Sequence, residues 1–138
     1  MMGGSTNMGS APAIPKRILV IDDEAKFCSI VSTFLTERGY EVATASSGSE
    51  ALVHVERFRP DVILMDVVMP GLSGLELLKL VRDRAFPPRV IMVTATDEVQ
   101  VAQQAIQDGA EAYMCKPVSF DELERAISRI YPAKHPSA

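Results

Sequence analysis

Four apolar runs in this chain each stop at residues able to hold a metal ion or a phosphoryl oxygen. Ile18-Leu19-Val20-Ile21 runs into the acidic pair Asp22-Asp23, and Val62-Ile63-Leu64-Met65 into Asp66. Val90-Ile91-Met92-Val93 ends at Thr94, and the shorter Ala112-Tyr113-Met114-Cys115 at Lys116. Three carboxylates brought together raise one another's pKa values by repulsion. A hard divalent cation removes that cost, and Mg²⁺ is typically held by a few carboxylates plus waters and substrate oxygens. A carboxylate can also attack a phosphoryl group to form an aspartyl phosphate. Thr94 offers a hydroxyl donor and Lys116 a point charge for the phosphoryl oxygens. Singly, each has a plainer reading: Asp22 and Asp23 as caps of the first helix, Asp66 as a turn former, Lys116 before Pro117 as a solvated turn residue. Together they point to a site for a divalent cation and a phosphoryl group.

Such a site needs elements that bring distant residues to one edge. Continuous apolar runs are what strands of a parallel sheet covered on both faces require. In open parallel sheets, ligands bind in the crevice outside the carboxyl ends of the strands. Helical patterns separate the runs. Phe27, Ile30, Val31, Phe34 and Leu35 form one stripe of a first helix from about Glu24 to Arg38, stopped by Gly39. Glu41 to Ala45 form a second strand, less apolar and so nearer an edge. A second helix runs from Gly48 to Phe58 before Pro60, and Ser73 caps a third that ends near Arg84. A fourth spans Asp97 to Gln107 and closes at Gly109. Ser119 and Glu122 make a capping box for the fifth, which carries Phe120, Leu123, Ile127 and Ile130. The fold class is α/β: a single three-layer domain with right-handed crossovers, five strands and five helices. Periodicity leaves the strand order open.

Composition narrows the function classes. The chain has 138 residues, 47% hydrophobic and 23% charged, ordinary for one soluble globular domain. A net charge of −4 gives no electrostatic reason for nucleic-acid binding. No apolar stretch approaches the roughly 20 residues that span a bilayer. The expected location is cytoplasmic. Cys28 and Cys115 are too few for a disulfide framework and read as small buried residues. Residues 1–15 read as a disordered leader or cloning remnant, 16–131 as the domain, and 132–138 as a tail or linker stub.

Ile21-Asp22-Asp23-Glu24, Leu64-Met65-Asp66-Val67-Val68-Met69-Pro70-Gly71, Val93-Thr94-Ala95 and Lys116-Pro117, with Tyr113 three residues before the Lys, resemble the receiver domain of two-component response regulators. The likeness runs from Lys16 to Tyr131 and implies the flavodoxin-like strand order 2-1-3-4-5. It implies that Asp66 accepts a phosphoryl group from a phosphohistidine of a sensor histidine kinase or histidine phosphotransfer protein. It further implies Mg²⁺, with Mn²⁺ as a substitute, bound by Asp23 and Asp66, by Asp22 largely through water, and by the Val68 backbone carbonyl. Lys116 would pair with Asp66 at rest across a cis Lys116-Pro117 bond. Thr94 would move to bond the phosphoryl group and Tyr113 would follow, altering the face of the fourth helix, fifth strand and fifth helix. The domain would then be no enzyme beyond its own phosphorylation and slow dephosphorylation. Output would pass to a downstream protein or a linked output domain not present in this chain. Oligomeric state is left open.

Three rival readings stand beside this one. A receiver fold could serve only as a docking scaffold. A magnesium-dependent phosphohydrolase would need a second acid two residues after the nucleophile, where this chain has Val68. A flavodoxin-type cofactor binder would need a phosphate-cradling loop where Asp22-Asp23-Glu24 stands. His54 and His135 lie away from the motifs, so the chain is expected to receive phosphoryl groups and not donate them.

Overall fold

A computed structural model describes residues 17–130. The expected leader at 1–15 and tail at 132–138 lie outside these residues. Five strands alternate with five helices: β1 Arg17–Ile21, α1 Ala25–Glu37, β2 Glu41–Ala45, α2 Gly48–Arg57 and β3 Val62–Met65, then α3 Gly74–Arg82, β4 Arg89–Thr94, α4 Val99–Gln107, β5 Ala112–Cys115 and α5 Phe120–Ile130. All pairings are parallel, in the order β2-β1-β3-β4-β5. This is the doubly wound order that the resemblance implied.

Side-chain alternation along the strands divides the core in two. Leu19, Ile21, Ile63, Met65 and Met92 point to one face, where Ala51 and Val55 of α2, Leu77, Leu78 and Val81 of α3, and Ala105 of α4 cover them. Ile18, Val20, Leu64, Ile91 and Val93 point to the other, against Cys28, Val31 and Leu35 of α1 and Leu123 and Ile127 of α5. Burying both faces is why β3 is apolar throughout and β1 and β4 are apolar at 18–21 and 90–93, between polar residues. β2 lies at an edge as its sparser apolar pattern requires. β5 is the opposite edge and is only half-buried, with Cys115 exposed. The expectation that this run and both cysteines are buried therefore holds for Cys28 and fails for Cys115, because an edge strand has a neighbour on one side only.

Local signals set the helix ends. Ser73 and Glu76 form a reciprocal capping box on α3, and Ser119 and Glu122 do the same ahead of α5. The first helix departs from the sequence reading in two ways. Ile30 is half exposed, the buried stripe being Cys28, Val31 and Leu35. No side chain caps its N-terminus; the Asp22 carboxylate instead accepts the Glu24 N–H, one residue before the helix starts. The fourth helix begins at Val99, two residues later than expected.

Candidate functional site

Register brings the chemistry-bearing residues together. Ile21 is paired with Met65, and the Asp66 N–H donates to the Ile21 carbonyl at 3.0 Å, so the acidic residues after β1 and β3 are neighbours. Thr94 lies at the end of β4, one strand over, and its carbonyl accepts the Lys116 N–H at 2.8 Å. The five residues that the apolar runs lead into thus share one edge of the sheet.

Asp22, Asp23 and Asp66 each present a carboxylate oxygen, and these oxygens lie within 4.8 Å of one another. Asp22 is 1% exposed and Asp66 7%, while Asp23 is exposed. Three hard oxygen donors converging on one point suit Mg²⁺ or Mn²⁺ and not a soft metal. Asp66 Oδ1 accepts the Val68 N–H at 3.2 Å, fixing the carboxylate against its own turn. In that turn Val67 and Met69 are buried while Val68 is 62% exposed beside the acid.

The Lys116 ammonium reaches into this cluster. It donates to Asp22 Oδ2 at 2.7 Å and to Glu24 Oε1 at 3.4 Å, and lies 3.8 Å from Asp66 Oδ2. Its closest partner is therefore Asp22, not the Asp66 that the resemblance implied. Asp22 is the most buried of the acids, and an unpaired charge there would be the costliest to leave. The Lys116-Pro117 peptide is cis, as the resemblance implied.

The electrostatics follow from this crowding. Burial pushes the Asp22 carboxyl above the usual carboxylate range, opposed by its bonds from Lys116 and the Glu24 N–H. Burial pulls the Lys116 amine down, but the bond and charge of Asp22, the charge of Asp66 and the bond of Glu24 outweigh it and hold the amine above its ordinary value. The two partners thus fare differently: the cation is favoured by several acids, whereas each acid shares one cation. Burial, then the charge of Asp22, pushes the Cys28 thiol up to about 11, so it is an inert core residue.

Thr94 is fully buried, and its hydroxyl accepts the Thr96 N–H at 3.4 Å. The Thr96 carbonyl in turn accepts the Tyr113 hydroxyl at 2.8 Å. One residue, Thr96, therefore joins Thr94 to Tyr113, through its N–H on one side and its carbonyl on the other. Among the described residues no hydrogen bond joins the Thr94 hydroxyl to Asp66. His54 lies in the last turn of α2 and is not among the residues of the cluster, and His135 is outside the described residues.

Three neighbours escaped the sequence reading. Gly74 opens α3 against the acid-bearing turn: a Cβ there would lie 2.1 Å from the Asp66 carbonyl oxygen. Its proximity to Ser73 and the N-cap signal hinted at a helix start but not at this contact. Glu24 and Phe27 both touch the Lys116 ammonium, across more than 85 residues of chain. Nothing in sequence spacing announces such a contact.

An open five-stranded parallel sheet with helices on both faces and an acidic pocket at its carboxyl edge defines the flavodoxin-like class. Within that class, the response regulator receiver domain family matches residues 18–128, and the chain belongs to it. The chain is 38% identical over 115 residues to the alkaline phosphatase synthesis transcriptional regulatory protein PhoP of Bacillus subtilis, covering 83% of this chain and 48% of that protein. It is 32% identical over 119 residues to sporulation initiation phosphotransferase F of the same organism, covering 86% and 96%. Among solved structures, the chemotaxis response regulator CheY4 of Vibrio cholerae is 32% identical with a TM-score of 0.77, covering 83% of this chain and 98% of that one. The chain thus spans about half the length of the first relative and nearly all of the second. Receiver domains are signalling domains of two-component systems; as a family they bind Mg²⁺ and interact with histidine kinases or phosphotransfer proteins. Among the described residues no helix is long and apolar enough to cross a membrane.

Proposed function

We propose that residues 16–131 are a phosphorylation-dependent switch, in which Asp66 takes a phosphoryl group from a phosphohistidine of a sensor kinase or phosphotransfer protein. The observation that carries this is the placement of Asp66: at a strand end, 3.8 Å from a lysine ammonium, with two further carboxylates within 4.8 Å. In the transfer a carboxylate oxygen of Asp66 forms a bond to phosphorus as the phosphorus–nitrogen bond breaks. The imidazole leaves with the electron pair of that bond. Bound Mg²⁺ or Mn²⁺ would offset charge on the phosphoryl oxygens; Asp22, Asp23, Asp66 and the Val68 carbonyl are the residues that would hold it. Lys116 supplies a second positive charge, its ammonium lying 3.8 Å from Asp66 with one donor beyond those given to Asp22 and Glu24. Thr94 can donate its hydroxyl there, since its present bond uses the oxygen only as acceptor.

A phosphoryl group adds about −1.5 to −2 charge beside Asp66. For that to change the output face, the group must bond differently in two conformations. The Thr96 backbone is the physical link: movement of Thr94 disturbs the Thr96 N–H, and Tyr113 loses or re-forms its bond to the carbonyl of the same residue. Output through α4, β5 and α5 follows, to a downstream protein or a linked output domain in the cytoplasm. The length of the PhoP relative supports a linked domain, and sporulation initiation phosphotransferase F supports a stand-alone one.

The test is incubation with acetyl phosphate and Mg²⁺, followed by intact mass. One acid-labile phosphoryl group is expected on the parent and none on Asp66→Asn. Equal labelling of the two proteins would remove Asp66 from its role. An unlabelled parent would favour the docking-scaffold reading.

A further inference from the structure

The Lys116 ammonium has a fourth neighbour besides its three acids. The Phe27 ring lies under it, with Nζ 4.2 Å from the ring centroid. That is well inside the roughly 6 Å within which a cation is attracted to an aromatic face. The position follows from α1 itself. Phe27 is the third residue of that helix, and helical side chains lean back toward the N-terminus, here over the Asp22-Asp23-Glu24 turn. The ring is half-buried and packs against the core between α1 and α5, so its own orientation is held.

We infer that Phe27 is a positioning residue for phosphoryl transfer, its ring fixing the Lys116 ammonium at the edge of the acidic cluster. This rests on the role proposed above for Lys116. An ammonium has three donors. Two go to Asp22 and Glu24, while Asp66 at 3.8 Å lies beyond hydrogen-bond distance. The ring closes the side that water would otherwise take, and the Lys116 side chain is only 16% exposed. It attracts the charge without offering an oxygen. The ammonium is thereby held in place while its third donor is kept for an oxygen arriving on Asp66. An aliphatic residue at position 27 would fill the space but not attract the charge, and the lysine head could swing among Asp22, Glu24 and solvent.

Two readouts test this. The first needs neither metal nor phosphodonor: in the parent, the Lys116 ε-methylene protons should be shifted upfield by the ring current. Phe27→Leu should return them to the ordinary lysine position, and Phe27→Tyr should keep them upfield. The second is the initial rate of Asp66 labelling by acetyl phosphate with Mg²⁺. Phe27→Leu should slow it by about three- to tenfold, the factor that a cation–π contact at a partly desolvated site represents. Phe27→Tyr should restore the rate. Incorporating 3,4,5-trifluorophenylalanine at position 27 keeps the ring's shape and packing but weakens its negative face, and should slow labelling without lowering the melting temperature. That variant and the parent spectrum decide the matter even if Phe27→Leu does not fold. Ordinary Lys116 shifts in the parent, full labelling speed in Phe27→Leu or the fluorinated protein, or a Tyr variant as slow as Leu would each overturn the inference. Failure of the parent to label at Asp66 would instead overturn the proposed function, and the ring-current result would still stand.

Discussion

Replacing Asp66 by Asn removes one of three close carboxylate charges while keeping the side chain's shape and an oxygen for the Val68 N–H. The facing oxygens of Asp22, Asp23 and Asp66 lie within 4.8 Å of one another. At an effective dielectric of about 20, a like pair at that distance costs about 3.5 kcal/mol. Asp66 also lies 3.8 Å from the Lys116 ammonium, an attraction of about 4.4 kcal/mol on the same scale. Two repulsions exceed one attraction, although Asp23 is exposed and its share is reduced by solvent. Relief of burying the Asp66 charge acts in the same direction. Asp66→Asn should therefore be about 1–2 kcal/mol more stable than the parent in EDTA. Distances this short lie within the Debye length, about 8 Å at 0.15 M salt, so most of the gain should survive physiological salt. Mg²⁺ should narrow the difference, because at ten times its Kd it stabilises the parent by about 1.4 kcal/mol and the variant, with one fewer ligand, by less. Urea unfolding of both proteins, with EDTA and with Mg²⁺, measures all of this. An Asn variant less stable than the parent in EDTA, or a difference unmoved by Mg²⁺, would refute the reasoning that repulsion dominates this pocket.

Three further outcomes are expected. Gly74→Ala places a Cβ against the Asp66 carbonyl oxygen and should cost roughly 3 kcal/mol, with amide shifts moving throughout the 66–69 turn; thermal melting and a two-dimensional amide spectrum would register both. Because the fold raises the pKa of Lys116, its stabilising contribution is complete below 10.5 and fades as pH rises through the raised value. Lys116→Met should thus lose stability near neutral pH and approach the parent above 10.5, as unfolding curves across that range would report. Val68 has no polar side-chain group and Thr96 only a hydroxyl, so neither holds water as an amide or carboxylate would, and Val68→Asn with Thr96→Glu should speed loss of the phosphoryl group by about tenfold, equivalent to about 1.4 kcal/mol of barrier. A phosphate-release assay showing unchanged decay would place control of the lifetime in Lys116 and the metal contacts.

Much of this molecule was legible in one dimension. Apolar runs bounded by polar residues located β1, β3 and β4, because the middle of a strand buried on both faces favours apolar side chains and leaves polar ones to its ends. Ser73 with Glu76 and Ser119 with Glu122 marked helix starts through bonds made within one turn. Asp22, Asp23, Asp66, Thr94 and Lys116 declared themselves as the residues on which those runs end. What tertiary structure decided was everything that depends on which strands become neighbours. The edge position of β5 exposes Cys115, and the β1–β3 register sets Asp66 beside Asp22. Lys116 chose Asp22 over Asp66, and Phe27 and Gly74 joined the site, through contacts of a few ångströms between residues far apart in the chain. Periodicity reports what a residue needs from its surroundings, apolar cover or a polar partner. Which partner it meets is settled only when the sheet assembles, because distance in space, and not along the chain, sets the strength of a charge pair or a steric contact.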